Sequence, residues 1–206
     1  MRLLVATRSE PKMREIRHIL SHVPDLDVLS LDDAGVEYEP EEEDLEPFHS
    51  FEENARSKAL HFHRRTGLPT VADDSGLEVD ALDGRPGVRT KRFAPGENLE
   101  GRERDEANNA YLLELLADVP PSERGARYVC VADLVLDEDR VEAFRGEAGG
   151  RVLESPRGEG GFGYDPVILD EETGRSFAEL TPEEKNAKSH RGKAFRALGR
   201  RLEEMV

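Results

Sequence analysis

Residues 69–80 constrain this chain more than any other stretch. Pro69-Thr70-Val71 reads as a short buried strand, and Leu77-Glu78-Val79-Asp80 alternates like a second one. Ala72-Asp73-Asp74-Ser75-Gly76 stands between them. A strand ending in two carboxylates, a hydroxyl and a glycine delivers acid groups and backbone N–H groups at one edge of a sheet, where open α/β sheets place ligands. Two adjacent carboxylates suit a divalent ion such as Mg²⁺, which takes oxygen ligands and accompanies phosphates. The same residues are also good turn chemistry, so on their own they read first as a solvated turn.

The flanking segments favour a site. Residues 2–6 read as a buried strand followed by the polar turn Thr7-Arg8-Ser9 and a helix running to about Leu20, with Ser9 as N-cap and Pro11 in the first turn. A strand, a polar turn and a helix N-terminus carrying Lys12 make an anion site, although the glycines of a Walker A loop are missing. Leu26 to Leu31 alternates as a second strand, and the acidic run Glu37 to Glu46 reads as a loop. A helix begins at Ser50, with Asn54 and Lys58 one turn apart. Asp83 to Gly87 is a turn cluster, and residues 101–117 read as a helix ended by Pro120-Pro121. Arg127 to Leu136 and Arg140 to Gly146 form a hairpin about Asp137-Glu138-Asp139, with a break expected at Gly149-Gly150.

Glycine is densest at Gly158 to Pro166, where Phe162, Tyr164 and Asp165 are embedded. Glycines let a backbone approach a ligand, aromatic rings stack on a flat base, and an aspartate accepts from ring N–H groups. Thr181-Pro182-Glu183-Glu184 is a capping box that opens a C-terminal helical region. A helix break is expected around Ser189 to Gly192, where His190 and Arg191 supply donors.

Composition excludes several functions. The net charge of −16 argues against nucleic acid or an anionic membrane as partner, because both need a basic surface. No apolar run approaches the roughly 18 residues that span a bilayer, and Leu3-Leu4-Val5-Ala6 is too short for the apolar core of a signal peptide. Cys130, the only cysteine, makes no internal disulfide, so a cytoplasmic location is expected. Only six of the 29 basic residues are lysine, which marks Lys12, Lys58 and Lys185 as point charges for phosphate and suggests a chain suited to high salt.

Five segments together resemble the inosine triphosphate pyrophosphatase family. They are Ala6-Thr7 with Lys12 and Glu15, Ser50-Phe51-x-Glu53-Asn54-Ala55 with Lys58-Ala59, Ala72 to Gly76, Gly160 to Pro166, and Ser189 to Gly192. The resemblance runs from Leu4 to about Leu202 and departs at Ser9 and Pro11, where the family has asparagine and glycine. It implies an α/β fold in one domain, residues 1–206: a long bent mixed sheet flanked by helices, with two lobes and a central nucleotide cleft. It implies Mg²⁺-dependent hydrolysis of noncanonical purine nucleoside triphosphates (ITP, dITP, XTP) to the monophosphate and pyrophosphate, by a homodimer. Alternatives are a Maf-like nucleotide pyrophosphatase and a non-catalytic nucleotide sensor.

Carried residue by residue, the resemblance makes Asp74 the base and, with Glu46, a metal ligand, with Asp73 a supporting carboxylate. Thr7, Arg8, Ser9, Lys12, Lys58 and Ser75 would contact phosphates. Phe162, Gly163 and Tyr164 would hold the purine, with Asp165, Lys185, His190 and Arg191 reading its edge. Donors from His190 or Arg191 would satisfy the C6 oxygen of inosine and xanthosine but meet the amino group of adenosine. Buried donors left unpaired in this way discriminate by roughly 10⁴.

Overall fold

The computed structural model describes residues 1–96 and 99–205. In chain order the elements are β1 (Arg2–Val5), α1 (Glu10–Leu20), β2 (Asp27–Leu29), α2 (Phe51–Thr66), β3 (Thr70–Val79), β4 (Pro86–Gly87), α3 (Gly101–Leu115), β5 (Gly125–Asp137), β6 (Arg140–Val152), β7 (Ile168–Asp170), β8 (Arg175–Ser176), α4 (Pro182–Lys188) and α5 (His190–Glu203). The strands form one mixed sheet of eight in the order β2-β1-β3-β5-β6-β7-β8, with β4 paired to β3. β1 runs parallel to β2 and β3, while β4, β7 and β8 pair antiparallel with their neighbours. Among the described residues no helix is long and apolar enough to cross a membrane.

The chain forms two compact units. Unit 1 comprises Met1–Ser75, Cys130–Gly146 and the segment from His190 onward; unit 2 comprises Gly76–Val129 and Glu147–Ser189. In unit 1 the sheet is covered on both faces. Leu3, Val5, Val71, Cys130, Ala132 and Leu134 pack against Ile16 and Leu20 of α1 and Phe195, Leu198 and Leu202 of α5. Leu4, Ala72 and Val135, which alternate with them along the strands, pack against Ala59 and Phe62 of α2. Unit 2 has its own core, in which Leu77, Val79, Tyr128 and Ile168 meet Leu112 and Leu116 of the α3 region and Phe177.

Helix starts follow local chemistry. Ser50 Oγ accepts from Glu53 N at 3.2 Å, and Thr181 and Glu184 cap one another reciprocally. Ser9 is the N-cap residue of α1 by position, but its side chain makes no cap hydrogen bond. The C-terminal helical region breaks at Ser189, which is extended at ψ 154°, so Arg191 and Gly192 lie inside α5.

Two expectations are corrected. Ala72 to Gly76 is neither a strand end nor a turn, because β3 continues unbroken through it. Its carboxylates stay in the sheet because helices on both faces supply cations and amides to them. Gly149-Gly150 does not break β6 either. A Cβ on Gly150 would stand 2.4 Å from the Leu169 carbonyl oxygen, so glycine there permits close strand approach.

Candidate active site

Because side chains alternate along a strand, Asp73 and Asp74 leave β3 on opposite faces. Asp74 meets α2. Its Oδ2 accepts from Asn54 Nδ2 at 2.9 Å and its Oδ1 from its neighbour Ser75 N at 2.9 Å. Asn54 is buried and also grips the Glu46 loop, accepting from Phe48 N at 2.9 Å and donating to Phe48 O at 3.3 Å. One turn further along α2, Lys58 Nζ is bonded to Glu46 Oε1 and to Asp73 O, the latter at 2.7 Å. Burial, and then the like charge of Glu46, push the Asp74 acid up to about 6. Burial opposes the Lys58 charge, yet Glu46 and Asp73 outweigh it and the ammonium ends above its ordinary value.

The other face is richer in cations. Asp73 Oδ2 accepts from Lys12 Nζ at 2.9 Å and Ser75 Oγ at 3.2 Å, with Arg191 Nε at 3.5 Å. Burial would raise the Asp73 acid, but Lys12, Arg191 and Lys58 hold it far below the usual carboxylate range. Asp73 Oδ1 is buried without a hydrogen-bond partner among the described residues. Cys130 lies 3.9 Å from Asp73 Oδ2, and burial beside that charge keeps it a thiol.

The Arg191 guanidinium is buried in unit 1, donating to Glu15 Oε2 at 2.7 Å and Ser75 Oγ at 3.0 Å. A buried guanidinium requires carboxylates, and Glu15 and Asp73 provide them. His190 is buried as the first residue of α5.

The first phosphate motif is divided. Thr7 Oγ1 accepts from Ser9 N at 3.1 Å, and Thr7, Arg8 and Ser9 line a cavity of about 360 Å³ that neither Lys12 nor Asp74 lines. Arg8 turns to the acidic run, donating to Glu42 at 2.7 and 3.0 Å and to Val36 O at 3.0 Å. That run is a 3₁₀ turn over Pro40–Asp44, and Arg65 at the end of α2 pairs with Glu39 at 2.8 Å. Arg8 therefore braces the loop that carries Glu46.

In unit 2 the glycine-rich loop is closed on itself. Asp165 Oδ2 accepts from Phe162 N and Lys185 Nζ, each at 2.8 Å, and Oδ1 accepts from Tyr128 OH at 3.3 Å. The Lys185 ammonium lies 4.3 Å from the centre of the Phe162 ring. Tyr164 is buried, with its hydroxyl donating to Thr90 O at 2.9 Å. Gly163 is held through both backbone polar groups by Asp105 and Asn109. Asp165, expected as an acceptor for base N–H groups, is thus the staple of its own loop, and only Oδ1, with its long Tyr128 contact, keeps acceptor capacity.

Sequence reasoning left Asn54, Glu15, Asp105 and Asn109 out of the site. Asn54 had a signal, four residues before Lys58 on one helix face. Asp105 and Asn109 lie in a strongly polar helix and had none.

The profile of the Ham1 family matches residues 3–201. This chain belongs to the Ham1 family. A dITP/XTP pyrophosphatase of Geobacter sulfurreducens is 49% identical over 197 residues, covering 96% of this chain and 94% of the relative. One of Frankia alni is 46% identical over 207 residues, covering 100% and 99%. Among solved structures, a HAM1 protein from Coxiella burnetii matches at a TM-score of 0.86 and 34% identity over 99% of both chains. These Ham1 relatives agree with the family that the five motifs resemble.

Proposed function

We propose that this Ham1 chain hydrolyses noncanonical purine nucleoside triphosphates, ITP, dITP and XTP, to the monophosphate and pyrophosphate in a Mg²⁺-dependent reaction. The names of its relatives support the substrate class. The observation that carries the chemistry is Asp74: a carboxylate fixed by Asn54 and Ser75 N, with its acid raised to about 6. Near neutral pH such a group is ionised yet basic enough to take a proton from water.

The donor set fits Mg²⁺. Glu46 and Asp74 are two carboxylates close enough for Glu46 to raise the Asp74 acid, and a small hard cation would relieve that repulsion. Glu46 and Asp74 would hold the ion, which would supply charge neutralisation for the triphosphate. Asp74 orients the attacking water and accepts its proton. Lys58 balances Glu46, and Lys12 and Arg191 keep Asp73 ionised; Ser75 would hold a phosphate oxygen by turning its hydroxyl proton from Asp73 Oδ2 toward it. Phe162, backed by Lys185, offers the stacking face for the purine. A homodimer working in the cytoplasm completes the reading.

Pyrophosphate release from inosine, xanthosine, adenosine and guanosine triphosphates, with Mg²⁺ at low and at molar salt, tests it. Release confined to the first two and abolished by chelator is expected. Release from none of them at either salt overturns the assignment.

A further inference from the structure

We propose that Asp105 and Asn109 of α3 are positioning residues for purine recognition, acting through the backbone of Gly163. The inference rests on the reading of the Phe162 loop as the base-binding element.

The two residues are one helical turn apart and present adjacent side chains. Asp105 Oδ2 accepts from Gly163 N at 2.8 Å, and Asn109 Nδ2 donates to Gly163 O at 3.0 Å. Holding both the N–H and the C=O of one residue fixes the two peptide planes that flank it. Those planes orient Phe162 on one side and Tyr164 on the other. Gly163 sits in the left-handed region at φ 64°, where the chain turns sharply, so a small rotation there swings the Phe162 ring.

Three further observations point to positioning as the role of the pair. Asn109 is 7% exposed, and its Oδ1 is buried with no hydrogen-bond partner among the described residues. Leaving a buried acceptor unpaired is costly, and among the described residues the side-chain hydrogen bond of Asn109 goes to Gly163. Burial, and to a lesser degree the like charge of Asp165, raise the Asp105 acid against the lowering bond from Gly163 N, so a carboxylate is placed there at a cost. Asn108, next to Asn109, repeats the device: its Oδ1 accepts from Ala94 N at 2.9 Å and its Nδ2 donates to Lys91 O at 3.2 Å, fixing the turn whose Thr90 carbonyl holds Tyr164 OH. One face of α3 therefore registers the loop at two points.

The test is steady-state kinetics of Asp105→Ala, Asp105→Asn, Asn109→Ala and Phe162→Ala on inosine and adenosine triphosphates, with thermal melting of each variant. Loss of one positioning hydrogen bond is expected to raise KM for inosine triphosphate about fivefold to tenfold while kcat changes less than about twofold. The preference for inosine over adenosine triphosphate should fall by a similar factor. Asp105→Asn keeps an oxygen acceptor for Gly163 N and should restore most of the KM lost in Asp105→Ala. Unchanged KM and preference in folded Asp105→Ala, with Phe162→Ala still raising KM, overturns the positioning role alone. Unchanged KM in Phe162→Ala overturns the base-loop reading and this inference with it. Asp105 is only partly buried, so its variants decide the question even where Asn109→Ala fails to fold.

Discussion

Asp73 and Asp74 are consecutive in β3, yet they hold their protons on opposite terms. Asp73 faces Lys12 and Arg191 and is driven far below the usual range, while Asp74 faces Asn54 and Glu46 and is raised to about 6. A strand's alternation puts two identical side chains in opposite electrostatic settings, one held ionised and one with its acid raised.

Amide replacements should separate them. Asp74→Asn is expected to lower turnover by at least about 10³-fold, because the proton acceptor is gone. It should leave the metal-free fold as stable as before, or more stable by up to roughly 3 kcal/mol, because an acid raised by burial is a cost at pH 7. Asp73→Asn leaves the buried Lys12 and Arg191 charges without their shared carboxylate and should destabilise by about 3–5 kcal/mol. Denaturant melts at pH 7 read both. Equal stability losses in the two variants would sink the distinction.

Arg191→Lys is not conservative here. The guanidinium reaches Glu15, Ser75 and Asp73 with three different nitrogens, and an ammonium on a shorter stem cannot reproduce that fork. Turnover is expected to fall about tenfold to a hundredfold, with Ser75 no longer fixed. Glu15→Gln should follow in the same direction but less far, since an amide oxygen still accepts one hydrogen bond. Kinetics on the two variants check the order, and a wild-type rate in Arg191→Lys would remove the fork from the mechanism.

Gly161 leaves little room for a side chain. Its φ is 73°, and an added Cβ would lie 2.1 Å from Asp165 Oδ2. Gly161→Ala must therefore push away the carboxylate that holds Phe162 N and Lys185. A loss of about 1–3 kcal/mol in stability and a raised KM for inosine triphosphate are expected, with kcat changed less. Thermal melts and initial rates measure both, and an unchanged KM would detach the Asp165 staple from base recognition.

What the sequence made legible was local. Ser50 and Thr181 announced their helices because a cap needs only residues three apart. The five motifs are local as well, and they single out Asp74, Lys58 and Phe162. The role of Arg191 was not legible because its partners Glu15 and Ser75 are 176 and 116 residues away in the chain. β3 ran through a stretch with turn chemistry because cations and amides from three helices satisfy its acids. β6 carries glycine at position 150 because a remote strand, at Leu169, leaves no space for a Cβ there. In each case the deciding partner was distant in sequence.

Asp133 gives a pH-dependent prediction outside the chemistry. It lies on β5 in unit 1, 3% exposed, with Oδ1 lacking a hydrogen-bond partner among the described residues. Burial, opposed by Arg56 and assisted by Glu52, pushes its acid from 3.8 up to about 6. The folded state therefore binds this proton more tightly than the unfolded state. The stability it contributes is fully present below about pH 4 and is lost as pH rises through about 6. Asp133→Asn removes that slope and should exceed the wild type at pH 8 by up to roughly 3 kcal/mol. Other carboxylates titrate in the same range, so the informative quantity is the difference between variant and wild-type unfolding free energies from pH 4 to pH 8. That difference should grow in favour of the variant across the window and level off above pH 7. A flat difference would mean that Asp133 finds a partner in solution that shields its charge.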